Sequence, residues 1–150
     1  MSTTMQRPHS GSAEMAPAEP AVGRDPRFQA YVTMRIGYTV LPLAMGIDKF
    51  FNAMVSWPQY LADWIDNIVP GTAQQFMYGV GAIEIAAGLL MLIRPRYGAY
   101  LVGLWLAGIV VNLLSYGEWY DVAVRDFGLM LGAFALARLA SVYDRGWLRL

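Results

Sequence analysis

The chain has 150 residues, of which 57% are hydrophobic and 15% are charged, and its formal net charge is zero. A neutral chain without clusters of Lys and Arg offers no electrostatic surface to nucleic acid, so a DNA or RNA partner is not expected. Because the sequence contains no cysteine and a single histidine, His9, a metal cofactor held by this chain alone is not expected either.

The N-terminal segment, residues 1–27, is predicted to be a disordered tail. Up to about Arg24 it is rich in Ser, Thr, Ala, Pro and Glu and contains no apolar run, a composition typical of disorder. A secretory signal needs a basic start and an apolar core of roughly 7–15 residues, and this segment has neither. The first apolar segment is therefore expected to remain in the mature protein.

Four long apolar segments follow the tail, at residues 28–51, 73–93, 97–114 and 120–139. A helix needs about 20 predominantly apolar residues to cross a bilayer. The sequence therefore predicts an all-α fold, an integral membrane four-helix bundle that occupies residues 28–142. The second and third segments are joined by only a few residues around Pro95, which predicts that they are antiparallel neighbours.

The connection between the first two segments, residues 52–72, contains two tryptophans, two prolines and a glycine. Tryptophan and tyrosine favour the level of the lipid headgroups, so an interfacial helix is predicted at residues 58–68. An anchored loop without function and a lid over a site are the two interpretations of this connection.

Basic residues lie on one side of the four predicted spans. Because short loops rich in Lys and Arg stay in the cytoplasm, both the tail and the C-terminal end, residues 143–150, are predicted to be cytoplasmic. The protein is then predicted to be a multi-pass protein of the cell membrane, that is, the cytoplasmic or inner membrane. The basic residues are Arg7, Arg24, Arg27, Arg94, Arg96, Arg138, Arg145 and Arg149, and the opposite connections hold Asp63, Asp66, Glu118 and Asp121.

Seven polar side chains lie inside the predicted spans, where each is costly unless it is paired, hydrated or neutralised. Six of them are ionisable, three positive and three negative, a balance that suits mutual pairing. A rise of about 1.5 Å per residue places one near the inner side, one near the midplane and the others near the outer side. This candidate ligand-binding cluster comprises Arg35, Asp48, Lys49, Glu84, Asn112, Arg125 and Asp126.

Each member of this cluster also has a structural interpretation. Arg35 could extend its stem toward the cytoplasmic headgroups, and Asp126 with Arg125 could be a structural pair that joins the fourth helix to the first. Glu84 is too deep to reach water easily, which favours a functional role. Small residues on the same faces predict close helix packing: Gly81 and Gly88 beside Glu84, Gly108 beside Asn112, and Gly128 and Gly132 near Arg125.

These motifs together resemble the DoxX family of small four-helix membrane proteins. The resemblance covers residues 28–142 and rests on Arg35, on Gly46-Ile-Asp-Lys49 at the end of the first segment, on Pro70, and on Glu84 with Gly88. It implies that Arg35, Lys49 and Glu84 occupy recurring polar positions of the family, with Asp126 a weaker match. The family includes subunits of thiosulfate:quinone oxidoreductase and other members linked to membrane oxidoreductase complexes.

Two functions follow as hypotheses. In the first, the chain is a membrane subunit of an oxidoreductase assembly that meets a quinone at the polar cluster, and a soluble or membrane redox partner supplies the electrons. In the second, it is a non-catalytic bundle that anchors a partner or binds lipid, and its charges hold the helices together. A transporter ranks last because the sequence shows no internal repeat, although a homo-oligomer could provide a pathway.

Overall fold

The computed structural model describes residues 25–144, and within that range the chain is helical and contains no strand. Four helices are long: α1 (Pro26–Phe51), α3 (Ala73–Ile93), α4 (Pro95–Tyr116) and α5 (Tyr120–Tyr143). A single helical turn, α2 (Asp63–Asp66), and a 3₁₀ turn at Trp57–Tyr60 lie between α1 and α3. The predicted all-α class is confirmed for these residues.

Local sequence determines where the long helices begin and end. The Asp25 carboxylate accepts a hydrogen bond from the Arg27 backbone N–H, and Pro26 occupies the first helical position, where its missing N–H costs nothing. Thr72 and Gln75 form a reciprocal capping box at the start of α3. Gly117 ends α4 in the left-handed conformation, with φ of 85°, which glycine adopts without strain.

Several predicted boundaries are corrected by these helices. The predicted span 97–114 is longer at both ends, Pro95–Tyr116, and the span predicted to end at 139 continues to Tyr143. The tail was expected to extend to residue 27, but α1 already begins at Pro26, because the Asp25 cap starts the helix earlier than the apolar run does. The predicted interfacial helix at 58–68 is also wrong as a continuous element, since Leu61 and Ala62 are extended between the two short turns. Residues 1–24 and 145–150, where the tail and the C-terminal end were predicted, lie outside the described residues.

The four long helices alternate in direction, and the closest contacts identify their neighbours. Gly98 of α4 lies against the backbone of Met91 in α3, as expected for helices that only Arg94 separates. Gly103 of α4 packs under the ring of Phe134 in α5. The predicted antiparallel arrangement of the second and third apolar segments is therefore confirmed.

Small residues set the distance between α1 and its neighbours. A Cβ atom built on Gly46 would lie 2.8 Å from the Gly81 carbonyl oxygen, and one on Gly88 would overlap the Leu43 side chain at 2.7 Å. On α5, Gly132 receives the Tyr38 hydroxyl of α1. Gly108 and Gly128, where close approaches were also predicted, contact no other helix within residues 25–144, because no atom lies within 4 Å of such a Cβ.

The interior of the molecule is small and partly charged, while the exterior is large and apolar. Fully buried positions are mostly alanine, with Met91, Leu113 and Leu136 the largest side chains among them. Asp48, Lys49, Glu84 and Asp126 are buried as well. The exposed residues include Ile36, Val40, Ile47, Ile83, Leu89, Leu92, Leu104, Val111, Val124, Phe127 and Leu131.

Two helices, α3 and α4, are long and apolar enough to cross a membrane. Only 33% of the apolar stretch of α3 and 28% of that of α4 is buried in the molecule. A core helix of a water-soluble protein would be mostly buried, so these two helices expose apolar surface that needs another cover.

Candidate functional site: a buried ion pair between α1 and α3

The centre of the candidate site is an ion pair between Lys49 of α1 and Glu84 of α3. The Lys49 Nζ atom lies 2.7 Å from Glu84 Oε2. Exposed fractions of 4% for Lys49 and 7% for Glu84 mean that this pair is withdrawn from solvent. Two charges buried this deeply are tolerated only because they neutralise and hydrogen-bond each other.

The backbone packing of α1 on α3 brings the two charges together. Gly46 precedes Lys49 by one turn, and Gly81 precedes Glu84 by one turn; a Cβ built on Gly81 would lie 2.6 Å from the Gly46 carbonyl oxygen. The absence of side chains at both positions lets the helix backbones touch, so a lysine near the end of α1 reaches a carboxylate near the middle of α3. The prediction that small residues around Glu84 admit a neighbouring helix is confirmed.

Two tryptophans complete the surroundings of the pair. The ring of Trp57, in the connecting segment 52–72, has its centroid 3.6 Å from Lys49 Nζ, a geometry that stabilises an ammonium ion. The indole N–H of Trp105, in α4, donates to Glu84 Oε1 over 3.4 Å, a long and therefore weak hydrogen bond.

Sequence reasoning missed both tryptophans, although one left a detectable signal. Because α3 and α4 are antiparallel and joined at Arg94, residues about equally far from Arg94 face each other, and Glu84 and Trp105 satisfy this condition. Trp57 had no such signal, because its position depends on how an irregular segment folds back over α1.

Asp48 does not join the ion pair, although it is adjacent to Lys49. Its carboxylate accepts hydrogen bonds from the backbone N–H groups of Ala53 and Met54, both at 3.1 Å, and from the indole N–H of Trp57 at 2.7 Å. The side chain therefore fixes the chain as it leaves α1. In doing so it holds the Trp57 ring over Lys49.

Asn112 of α4 binds the far part of the same connecting segment. Its amide nitrogen donates to the Tyr60 carbonyl oxygen at 2.7 Å, and its amide oxygen accepts from the Ala62 N–H at 3.1 Å. A primary amide offers one donor and one acceptor side by side, so it pairs with the backbone much as a neighbouring strand does. The structure thus gives Asn112 an anchoring role beside its predicted place in the polar cluster.

Arg35 lies at the opposite end of the molecule from the ion pair, as its predicted depth implied. Its guanidinium donates to the Leu92 carbonyl oxygen at 2.7 Å and to the Tyr31 hydroxyl at 3.4 Å. The Tyr31 hydroxyl donates in turn to Asp144, which also accepts from the Arg96 backbone N–H. This network connects the ends of α1, α3, α4 and α5.

Arg125 and Asp126 form a salt bridge at 2.9 Å between neighbouring residues of α5. The Asp126 side chain is 8% exposed, whereas that of Arg125 is 65% exposed, so the carboxylate points inward and the guanidinium outward. The bond itself runs within one helix, rather than across to α1 as the structural interpretation supposed.

Together these contacts divide the seven predicted residues into separate groups. Lys49 and Glu84 form the only salt bridge between helices in the described part of the chain, and Asp48 and Asn112 hold the segment that covers it. Within residues 25–144, no group of three or more His, Cys, Asp or Glu side chains is placed to hold a metal ion. Lys49 can donate a proton and Glu84 can accept one, and the indole rings of Trp57 and Trp105 lie beside them.

The described part of the chain is all-helical, and two of its helices are suited to crossing a membrane. No match was found to any family model, curated protein or solved structure. The resemblance to the DoxX family therefore stays a prediction from the sequence motifs.

Proposed function

We propose that the chain is a multi-pass integral membrane protein whose four long helices all cross the cell membrane, with both termini in the cytoplasm. The observation that carries this proposal is the inverted distribution of side chains. Asp48, Lys49, Glu84 and Asp126 are buried in the interior, while many Ile, Leu, Val and Phe side chains are exposed on the exterior. Such an exterior is unstable in water and suits the hydrocarbon of a bilayer.

The helices α1 and α5 belong to this arrangement too. Their charged residues make them less apolar in composition than α3 and α4. On α1, Asp48 and Lys49 are buried and their neighbours Ile47 and Phe50 are exposed. On α5, Asp126 is buried while Val124 and Phe127 are exposed. Because these charged residues face the interior, they add no charge to the surface that would meet lipid.

The charge distribution at the two ends supports the orientation. Hydrogen bonds bring the beginning of α1, the turn at Arg94 and the end of α5 to one end of the molecule. Asp144 accepts from the Tyr31 hydroxyl and from the Arg96 N–H, and Asp25 accepts from the Tyr143 hydroxyl. Among the described residues, the basic Arg27, Arg94 and Arg96 therefore lie at this end. The opposite end carries the acidic connections, as expected for a periplasmic or exterior face.

The absence of natural cysteine makes this topology directly testable. A cysteine at Asn67, exposed in the connecting segment, should react with a membrane-impermeant thiol reagent in right-side-out vesicles, and one at Tyr97, exposed at the other end, should react only in inside-out vesicles. Equal labelling of both positions from one side would contradict four crossings.

Within this topology, the chain is proposed to be a DoxX-like subunit of an oxidoreductase assembly that meets a quinone at the Lys49–Glu84 pair. Reduction of a quinone takes two electrons and two protons. A redox partner supplies the electrons, while Lys49 and the Trp105 indole offer hydrogen bonds to the quinone carbonyl oxygens and Glu84 relays protons. The weak Trp105 bond supports this role, because a quinone oxygen could replace the Glu84 carboxylate as its acceptor.

The test combines purification with substitution. Affinity purification from native membranes in mild detergent, followed by mass spectrometry, should recover a redox-active partner or a stoichiometric quinone. Glu84→Gln should then lower quinone-linked turnover without loss of folded protein, while Glu118→Gln, a change at the exposed glutamate, should leave turnover unchanged. Full turnover in the Glu84→Gln variant would overturn the quinone proposal.

A second candidate, a non-catalytic bundle that anchors a partner or binds lipid, is favoured by a specific observation. Lys49 and Glu84 satisfy each other at 2.7 Å and are almost fully covered, as expected for charges that only connect α1 to α3. In that case, Glu84→Gln lowers the thermal stability and changes no rate, and purification recovers the protein with bulk lipid alone.

A further inference from the structure

We propose that the connecting segment, residues 52–72, is a lid that controls access to the Lys49–Glu84 pair from the outer side, and that Asn112 is the latch holding it closed. This inference rests on the proposed function, because it concerns how a headgroup from the outer leaflet reaches that pair. It goes further by assigning the path, the moving part and the residue that restrains it.

The first step is that something has to move before a ligand reaches the pair. Lys49 and Glu84 are 4% and 7% exposed. On one side, α1 and α3 touch backbone to backbone at Gly46 and Gly81, so these helices separate only with the loss of extensive packing. The Trp57 ring, 3.6 Å from the ammonium of Lys49, belongs instead to an irregular segment.

The second step is that the connecting segment has the construction of a movable part. It contains one 3₁₀ turn and one helical turn of four residues each, and elements this short have little stability of their own. At its ends, Asn52 and Gly71 adopt positive φ values of 50° and 112°. The backbone therefore leaves the helical conformation at both junctions with the long helices, which makes these two residues the natural hinges.

The third step identifies the latch. Near its beginning the segment is tied to α1 through Asp48, but its middle is tied to α4 through Asn112, which bonds Tyr60 and Ala62. The only other side-chain hydrogen bond from the segment to α4, among the described residues, joins Trp64 to Ser115 at 2.8 Å. Releasing Asn112 would thus free the middle of the lid. The 2.7 Å bond from the Trp57 indole to Asp48 would then be the last side-chain hydrogen bond, among the described residues, that keeps this ring over Lys49, and the ring would move away more often.

The sequence supplies an unusually clean probe, because Lys49 is the only lysine of the chain. An impermeant amine-reactive ester should acylate Lys49 slowly in the wild type, and mass spectrometry reads this reaction at a single residue. In the Asn112→Leu variant, which keeps the branching at Cγ but removes both hydrogen bonds, the acylation rate should rise about 10- to 30-fold, as expected for the loss of two hydrogen bonds.

The matched control is Val111→Leu, a similar change on the exposed face of the same helix, which should leave the acylation rate unchanged. An unchanged rate in a folded Asn112→Leu protein, verified by helical circular dichroism, would overturn the latch. Should Asn112→Leu fail to fold, Ser115→Ala decides instead. A faster reaction of Lys49 in that variant supports the lid, and an unchanged rate contradicts it.

Failure of the lid and failure of the proposed function are distinguishable. The acylation comparison can be made in detergent as well as in vesicles, so it tests the lid whatever the topology proves to be. The Asn67→Cys and Tyr97→Cys variants test the topology without reference to the lid. Faster acylation of the latch variant in detergent together with wrong-sided cysteine labelling would retain the lid and reject the orientation.

Discussion

Removing one charge of the Lys49–Glu84 pair should destabilise the protein far more than removing both charges. In the Lys49→Met variant, the Glu84 carboxylate keeps only the 3.4 Å bond from Trp105 in a site that is almost fully covered. Breaking a buried pair by removing one partner costs about 3–5 kcal/mol.

The opposite single variant, Glu84→Gln, should be somewhat less harmful. The ammonium of Lys49 retains the face of the Trp57 ring at 3.6 Å, and a cation over an aromatic ring that is shielded from water gains about 2 kcal/mol. We therefore expect a loss of about 2–3 kcal/mol in the free energy of unfolding. The double variant Lys49→Met, Glu84→Gln buries no charge at this site and should lie within about 1 kcal/mol of the wild type.

The assay is equilibrium unfolding in mixed micelles with increasing denaturing detergent, followed by far-ultraviolet circular dichroism. A double-mutant cycle then gives the coupling free energy, expected at about 4 kcal/mol or more from these three values. The matched control is the same cycle on Arg125 and Asp126, where the 65% exposed arginine should limit the coupling to below about 1 kcal/mol. A double variant less stable than both single variants would refute the reasoning.

Two further predictions concern the packing of the helices. Gly81→Ala places a methyl group against the backbone of α1 and should lower the thermal midpoint in detergent by at least 5 °C, about the shift expected for 1–2 kcal/mol in a domain of this size. The control is Gly79→Ala, where the space is open, and it should leave the thermal midpoint unchanged or slightly raised. Asp144→Ala removes the acceptor shared by Tyr31 and the Arg96 N–H and should cost about 1–3 kcal/mol in the micelle unfolding assay, so a neutral result would show that this network adds no stability.

The helices were predictable because their determinants are local. The end of an apolar run and the capping residues lie within a few residues of each helix boundary. The predicted segment 73–93 accordingly coincides with α3, Ala73–Ile93. Where short-range signals conflicted, the prediction was less accurate. Pro58, Trp64 and Pro70 left the connecting segment ambiguous, and it folds into two separate turns because long-range bonds from Asp48 and Asn112 determine its path.

Glu84 and Lys49 could be identified from the sequence as buried charges, because a charge inside an apolar run is conspicuous whatever surrounds it. Their partnership could not be, since 35 residues separate them and the register of α1 on α3 depends on backbone contact between Gly46 and Gly81. Only the tertiary structure could decide which charges meet and that Asn112 holds a loop. Those outcomes depend on helix register and on the path of an irregular segment, which no local pattern specifies.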